Sequence, residues 1–159
     1  MSEREDEFFI LISISALLAW GVYMTARKFF PTSSYDVPFG ETFRIAETTY
    51  NIPNFLLVEI ARQESNFDPK AISNKGAQGI MQIVPRWHPG IDPYNPERAI
   101  MYAANYLRTL YIKTGSWRGA LAAYNWGIGN LSKFGFDKMP TETRTYIAKI
   151  SGNLPYTLG

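Results

Sequence analysis

A single glutamate lies on the face of a predicted helix that is otherwise apolar. Four side chains at i, i+3, i+4 and i+7 share this face: Leu57, Ile60, Ala61 and Glu64. Burial disfavours the charged form of a carboxyl group, so it raises the pKa from about 4.3 toward the range of about 6–7 that suits a general acid near neutral pH. Periodicity alone also allows a structural role, in which Glu64 ends the helix at the surface or pairs with Arg62.

The composition excludes most other catalytic chemistries. The 159 residues include no cysteine, which excludes disulfides, thiolate nucleophiles and Cys-ligated zinc or iron–sulfur sites. The single histidine, His88, excludes a multi-histidine metal site within one chain, and we expect it to be an ordinary loop residue. Lys and Arg total 16 and Asp and Glu total 14, so the net charge of +2 indicates no nucleic-acid partner. We therefore expect carboxylates, hydroxyls and amides to do the chemistry, without a metal or a cofactor.

Four motifs follow one another over residues 64–147. The first, over 64–85, contains Glu-Ser, a later serine, and Gly-Ala-Gln-Gly-Ile-Met-Gln before a proline. Asp-Pro and Pro-Glu follow within 92–97, with Tyr-Leu at 106–107. Ala-Ala-Tyr-Asn-Trp-Gly covers 122–127, and Glu-Thr-Arg-Thr-Tyr-Ile covers 142–147. In this order and at this spacing, the motifs resemble those of the soluble lytic transglycosylases, which are goose-lysozyme-like enzymes that cleave bacterial peptidoglycan. The resemblance implies that peptidoglycan glycan strands are the binding partner; it assigns no protein partner.

The resemblance implies that one carboxyl group performs both proton transfers. Glu64 would protonate the glycosidic oxygen between N-acetylmuramic acid and N-acetylglucosamine. It would then take the proton of the muramic acid 6-hydroxyl as that oxygen attacks C1, which leaves a 1,6-anhydro product. An ordinary glycosidase uses two carboxylates, and no second one stands out in this sequence. Two alternatives remain open: a lysozyme-type hydrolase on the same fold, and a non-catalytic peptidoglycan-binding assembly protein.

The resemblance also assigns supporting roles around Glu64. Tyr146 would hold the geometry of Glu64 and stabilise developing charge. The residues expected to contact the glycan are Ser73, Gly79, Met81, Gln82, Tyr124, Asn125 and Trp126. Structural alternatives remain: Ser73 could cap its own loop, Met81 could fill the core, and Tyr146 could be a core aromatic.

Two features depart from the family pattern. The sequence Arg-Trp-His-Pro-Gly at 86–90 stands where the family usually continues into a helix, so we expect a remodelled loop beside the substrate cleft. Trp126 occupies a position where the family often has a small residue, and it could stack on a sugar face or pack internally.

Apolar residues that recur with a period of 3.6 residues predict an all-α domain. The family resemblance implies that this domain has a lysozyme-like fold. The predicted helices cover 41–50, Pro53 to about Ser65, Pro96 to near Gly115, 117–124, 130–134, and a last segment that begins at Pro140-Thr141. We expect Thr141 to be an N-cap. On the first helix, we expect Phe43, Ile45 and Ala46 to face inward.

We expect the chain to divide into an acidic N-terminus with a transmembrane anchor over 1–28, a linker over 29–40 and a catalytic domain over 41–159. Residues 8–26 carry no charge over nineteen positions, which is enough to cross a hydrocarbon layer of about 30 Å as a helix. The acidic start and the long apolar run disfavour a cleaved signal peptide.

The charges beside this predicted anchor conflict with the expected function. Arg27 and Lys28 follow the apolar run, and by the positive-inside rule they favour a cytoplasmic C-terminal domain, whereas peptidoglycan lies outside the cytoplasm. We nevertheless expect a single-pass membrane protein whose catalytic domain faces peptidoglycan. The membrane would be the bacterial inner membrane or the internal membrane of a phage virion.

Overall fold

Helices make up most of the ordered elements in the computed structural model, which describes residues 34–159. Over these residues the only strand-like features are isolated bridges that join Ile72 to Gln78 and Gln78 to Ile83, so the all-α prediction is confirmed. The predicted anchor at 8–26 and the first part of the predicted linker lie outside the described residues. From residue 34 onward, no helix is both long enough and apolar enough to cross a membrane.

Helix α4 is central to the packing. The elements in chain order are α1 (Gly40–Tyr50), α2 (Leu56–Ser65), α3 (Pro96–Thr114), α4 (Trp117–Trp126), α5 (Ile128–Phe134), a 3₁₀ helix (Phe136–Lys138) and α6 (Thr141–Asn153). Helix α4 contacts α3, α5 and α6, while α2 packs on α1 and α6, and α1 packs on α3. The C-terminal halves of α2 and α4 are thereby held against α6, which places the first, third and fourth motifs in one region.

The core draws apolar side chains from each of the helices α1 to α6 and from the loop between α2 and α3. Fully buried members include Phe43, Leu57, Ile60, Ile80, Met81, Ile100, Leu107, Leu121 and Ile150. Burying one such side chain contributes about 1.5–3 kcal/mol. The apolar face of α2 is therefore firmly seated, and the helix that carries Glu64 has little freedom to shift.

The predicted limits of the third helix are confirmed, whereas the predicted start of the second is wrong. The Asn95 side chain accepts the Arg98 N–H at 2.9 Å, and Gly115 ends α3 in the left-handed region, as is common for helix ends. Helix α2 begins at Leu56 rather than Pro53, because Phe55 adopts a left-handed backbone with φ 70° that interrupts the turn. Helices α4 and α5 each extend two residues beyond the predicted segments.

Two further expectations are wrong. Thr141 is the first residue of α6 rather than its N-cap, and no side chain caps this helix. Ile45 is 45% exposed, whereas Glu47 is buried. The reason is helical geometry: positions 43, 46 and 47 share one face of α1, and position 45 points away from it.

The buried carboxylate of Glu47 connects three segments. Its Oε1 accepts the Leu57 N–H at 2.7 Å, and its Oε2 accepts the Phe55 N–H at 2.7 Å and the hydroxyl of Tyr35. The Tyr35 and Phe55 rings also lie 4.7 Å apart. Burial raises the pKa of Glu47 to about 7, although its hydrogen bonds favour the charged form. The segment before α1 and the start of α2 are thus fixed to α1.

The loop between α2 and α3 folds back against the C-terminal end of α2. The Ser65 hydroxyl donates to the Ile80 carbonyl at 2.9 Å, and the Gly79 N–H donates to the Ala71 carbonyl at 2.8 Å. Gly79 has φ 72°, and a Cβ there would collide with the carbonyl oxygen of Pro93. Glycine is therefore required where these two stretches of chain cross.

Candidate active site

Glu64 and Tyr146 meet although 82 residues separate them in the chain. Glu64 lies in the last turn of α2 and is partly buried, and Tyr146 lies in α6 and is buried. The Tyr146 hydroxyl donates a hydrogen bond to Glu64 Oε1 at 2.8 Å. The packing of α2 on α6 therefore creates the contact that the family resemblance implies.

Burial tunes the protonation of Glu64. Desolvation raises the pKa of Glu64 to about 7, and the hydrogen bond from Tyr146 partly offsets this by favouring the carboxylate. Burial, together with the charge of Glu64, raises the pKa of Tyr146 well above its ordinary value, so this tyrosine stays neutral and donates. A carboxyl group poised near neutral pH can both give and take a proton.

A cavity of about 370 Å³ opens beside this pair. Its walls come from α2, α4 and α6: Gln63, Glu64, Asn125, Thr141, Glu142, Thr145, Tyr146 and Lys149. Glu142 is exposed, and Lys75 pairs with it at 3.4 Å. This ion pair brings the loop between α2 and α3 next to the first turn of α6.

A second, larger cavity of about 950 Å³ adjoins the first. Its walls carry aromatic and amide side chains, including Gln82, Trp87, His88, Tyr102, Tyr106, Tyr124, Asn125, Trp126 and Asn130. Asn125 lines both cavities, and its Oδ1 accepts the hydroxyl of buried Thr143 at 2.8 Å. The two cavities meet at Asn125 and are together termed the groove. A ligand that passes Asn125 would extend from Glu64 into the larger cavity.

Three of the residues expected to contact the glycan are fixed in the wall of the larger cavity. The Tyr124 hydroxyl donates to the Met81 carbonyl at 2.9 Å, and the Gln82 side-chain amide donates to the Gly79 carbonyl at 3.0 Å. The Trp126 ring stacks on Phe134, with centroids 6.1 Å apart. These contacts hold the polar and aromatic wall in place before any ligand binds.

Three other expected glycan contacts line neither cavity. The Ser73 hydroxyl accepts a hydrogen bond from the Ala77 N–H at 3.0 Å, so Ser73 caps its own loop. Met81 is fully buried, so its side chain fills the core. Gly79 is buried, and Pro93 rather than the groove is its close neighbour. All three shape the loop that carries Gln82 and do not face either cavity.

The sequence interpretation missed several wall residues. Tyr102 was not singled out, and Tyr106 was placed in the family pattern without a role. The two are four residues apart on α3, so helical spacing could have placed both on one face. His88 is part of the wall as well as of its loop: its Nδ1 lies 2.7 Å from the Tyr102 hydroxyl oxygen, and its ring centroid lies 4.9 Å from that of Tyr106. Thr143, within the fourth motif, lines neither cavity but was missed as the residue whose hydroxyl holds Asn125. Over residues 34–159 there is no cluster of three His, Asp or Glu side chains that could hold a metal ion.

The family model of the transglycosylase SLT domain matches residues 41–147. The chain belongs to this family. The match includes Glu64, Tyr146 and every other residue on the walls of the two cavities except Lys149, so the groove is a feature of the SLT domain itself.

Relatives of this SLT domain occur in bacteria and in a phage. The transglycosylase of Enterobacteria phage PRD1 is 29% identical over 122 residues, which cover 75% of this chain and 44% of the relative. The soluble lytic murein transglycosylase of Escherichia coli K12 is 31% identical over 134 residues, which cover 76% of this chain and 20% of the relative. The membrane-bound lytic murein transglycosylase F of Alcanivorax borkumensis is 35% identical over 118 residues, which cover 67% of this chain and 25% of the relative. The chain thus spans less than half of each of these relatives.

Solved structures share the fold of the SLT domain. The 70 kDa soluble lytic transglycosylase of Escherichia coli superposes with a TM-score of 0.64 at 28% identity, covering 72% of this chain and 23% of that protein. The lytic transglycosylase Slt of Pseudomonas aeruginosa was solved as an inactive mutant with glutamate replaced by glutamine. It superposes with a TM-score of 0.62 at 25% identity, covering 71% of this chain and 22% of that protein. The predicted lysozyme-like transglycosylase fold is therefore confirmed for the described residues.

Proposed function

We propose that this SLT domain is a peptidoglycan lytic transglycosylase. It cleaves the β-1,4 bond between N-acetylmuramic acid and N-acetylglucosamine and forms 1,6-anhydro-N-acetylmuramic acid. The observation that carries the proposal is the pairing of Glu64, whose pKa is about 7, with the Tyr146 hydroxyl in a groove large enough for a glycan strand. The relatives named lytic murein transglycosylase support the same activity.

One carboxyl group completes the reaction. Protonated Glu64 gives its proton to the glycosidic oxygen, and the bond from that oxygen to C1 breaks. The 6-hydroxyl oxygen of the same muramic acid bonds to C1, and the carboxylate of Glu64 takes up its proton. Glu64 returns to its starting state and no water is consumed.

Tyr146 and Asn125 position the reacting groups. Tyr146 fixes one oxygen of Glu64 and stabilises its charge after the first transfer, while Asn125, held by Thr143, lies where the two cavities join. Glu142 is the second carboxylate on the wall of the smaller cavity, but it is exposed and paired with Lys75. It therefore lacks the apolar setting that Glu64 has.

The first experiment is the substitution Glu64→Gln. General acid–base catalysis contributes about 100-fold or more, so we expect the release of soluble fragments from purified cell walls to fall at least about 100-fold. Glutamine keeps an oxygen that can accept the Tyr146 hydroxyl, so circular dichroism and the melting curve should remain those of a folded domain.

The matched control is Glu97→Gln, which changes an exposed carboxylate in the first turn of α3 that lines neither cavity. This variant should release wall fragments at the wild-type rate. If Glu64→Gln also clears walls at that rate, Glu64 is not the acid and the proposed mechanism is wrong.

Residues 8–26 are proposed to attach the enzyme to a membrane, with the catalytic domain facing peptidoglycan. The uncharged run supports this, as do relatives named membrane-bound transglycosylases and a transglycosylase from a phage. The role would be local opening of the wall, during phage entry or in a secretion apparatus. In intact spheroplasts, external protease should digest the C-terminal domain; resistance would contradict this orientation.

A further inference from the structure

Trp87 is a large aromatic side chain exposed in the larger cavity. It is 67% exposed and contributes to the cavity wall, in the loop at 86–90 where the sequence departs from the family pattern. The Arg86 guanidinium carbon lies 4.3 Å from the centroid of its ring. Exposing an indole ring to water is unfavourable, and a cation over the ring offsets only part of this cost.

The loop holds Trp87 in a defined place. The N–H groups of Trp87 and His88 donate to the Val84 carbonyl at 2.9 and 3.2 Å, which closes a turn. The His88 ring then contacts Tyr102 and Tyr106 of α3 edge-on, with centroids 5.5 and 4.9 Å away. Since the turn is anchored to α3, little ordering is required when a ligand reaches Trp87.

The wall chemistry around Trp87 fits an uncharged sugar chain. Trp87, Tyr106 and Trp126 supply aromatic surface, and Gln82 and Asn130 supply amide groups. Among the described residues, no carboxylate lines this cavity, and Lys133 and His88 are its ionisable groups other than tyrosines. Sugar rings have apolar C–H faces that stack on aromatic rings, and hydroxyl and acetamido edges that hydrogen-bond to amides.

Continuity with the reaction site determines which ligand reaches Trp87. Trp87 lines only the larger cavity, Glu64 lines only the smaller one, and Asn125 lines both. A strand bound across Glu64 therefore leads past Asn125 toward Trp87. A short fragment at Glu64 would leave Trp87 uncovered.

We propose that Trp87 is a stacking platform for a sugar ring of the glycan strand remote from the cleaved bond, and that it sets a preference for longer strands. The inference rests on the proposed function, because it takes the strand at Glu64 as the ligand. Trp87 would bind substrate and transition state equally, so it affects affinity and not the chemical step.

The test uses the full chain with Trp87→Ala, Trp87→Tyr and the control Tyr94→Ala, which removes an exposed aromatic that lines neither cavity. With isolated glycan strands as substrate, Trp87→Ala should raise KM about 3- to 10-fold at unchanged kcat. Trp87→Tyr should restore most of the affinity, because it keeps an aromatic face. Tyr94→Ala should behave as wild type.

Direct binding is measured in the Glu64→Gln background with a hexasaccharide of N-acetylglucosamine. Adding Trp87→Ala should weaken binding by the same factor of about 3 to 10. If Trp87→Ala leaves hexasaccharide affinity unchanged, or lowers kcat at unchanged KM, Trp87 is not a stacking platform and the proposed function is unaffected. If wild type cleaves no wall but hexasaccharide binding depends on Trp87, the proposed function fails and the platform stands. If the hexasaccharide does not bind at all, the platform is overturned.

Discussion

At the scale of single residues, two opposing effects set the behaviour of Glu64. Burial raises its pKa to about 7, and the Tyr146 hydrogen bond acts in the other direction. The position of Glu64 on an apolar face could be predicted from spacing within one helix. Tyr146 could be assigned only through the family resemblance, because its contact depends on how α6 packs against α2.

Replacing Tyr146 by phenylalanine should move the pH dependence of the reaction. The hydroxyl favours the carboxylate, so its loss raises the pKa of Glu64 above about 7. The first step requires protonated Glu64, and activity is therefore lost as pH rises through this pKa. We expect the alkaline limb of kcat/KM to shift to higher pH in Tyr146→Phe, measured as initial rates of wall solubilisation across a pH series.

The matched control for this pH profile is Tyr94→Phe, which removes a hydroxyl from an exposed residue that lines neither cavity. Its alkaline limb should coincide with that of wild type. A limb in Tyr146→Phe that stays in place or moves to lower pH would show that the hydroxyl does not stabilise the carboxylate of Glu64.

At the scale of elements, the connection between α1 and α2 shows what sequence patterns miss. The helices could be predicted because apolar positions repeat with the helical period. The late start of α2 could not, since Phe55 adopts a left-handed backbone that bulky residues disfavour. Its Tyr35 ring contact and its N–H bond to Glu47 are long-range interactions that fix this conformation.

Two glycines of the loop between α2 and α3 should respond differently to substitution by alanine. Gly79 and Gly76 both have positive φ, but a Cβ at Gly79 would collide with the Pro93 carbonyl oxygen, whereas nothing lies within 4 Å of one at Gly76. Gly76→Ala should cost only the backbone strain of about 1–2 kcal/mol, and Gly79→Ala should cost clearly more. Urea denaturation of both variants gives the two free energies of unfolding. Equal losses would show that the crossing at Pro93 is not tight.

At the scale of the whole molecule, the groove depends on contacts between distant parts of the chain. The family motifs predicted Glu64, Tyr146 and Asn125, and the structure brings these three around one cavity. The aromatic wall of the other cavity combines the divergent loop at 86–90 with α3 and α4. Local patterns carry no information about how these elements meet in space. Tyr102 was therefore missed, and Tyr106, although part of the family pattern, was given no role in the cavity wall.

Removing the Glu47 side chain should destabilise the whole domain. Glu47→Ala leaves the buried N–H of Leu57 without its acceptor, at roughly 1–3 kcal/mol, and also removes the acceptor of the partly buried Phe55 N–H. We expect a marked fall in the melting temperature by calorimetry. Tyr35→Phe should cause a smaller fall, because it removes only the hydroxyl that donates to Glu47.

The control for this stability series is Glu41→Ala, which removes an exposed carboxylate of the same helix and its ion pair with Arg44. Exposed ion pairs contribute little to stability, so the melting temperature should hardly change. If Glu47→Ala melts at the same temperature as Glu41→Ala, the carboxylate does not connect α1 to α2.

The mass of the fragments released from purified cell walls tests the proton cycle of Glu64 most directly. Attack by the 6-hydroxyl yields muramic acid ends in the 1,6-anhydro form, each lighter by one water than the product of hydrolysis. We expect mass spectrometry of fragments released by the full chain to show anhydro ends, and none from Glu64→Gln. Fragments that carry the added water would contradict the transglycosylase reaction and identify a hydrolase on the same fold.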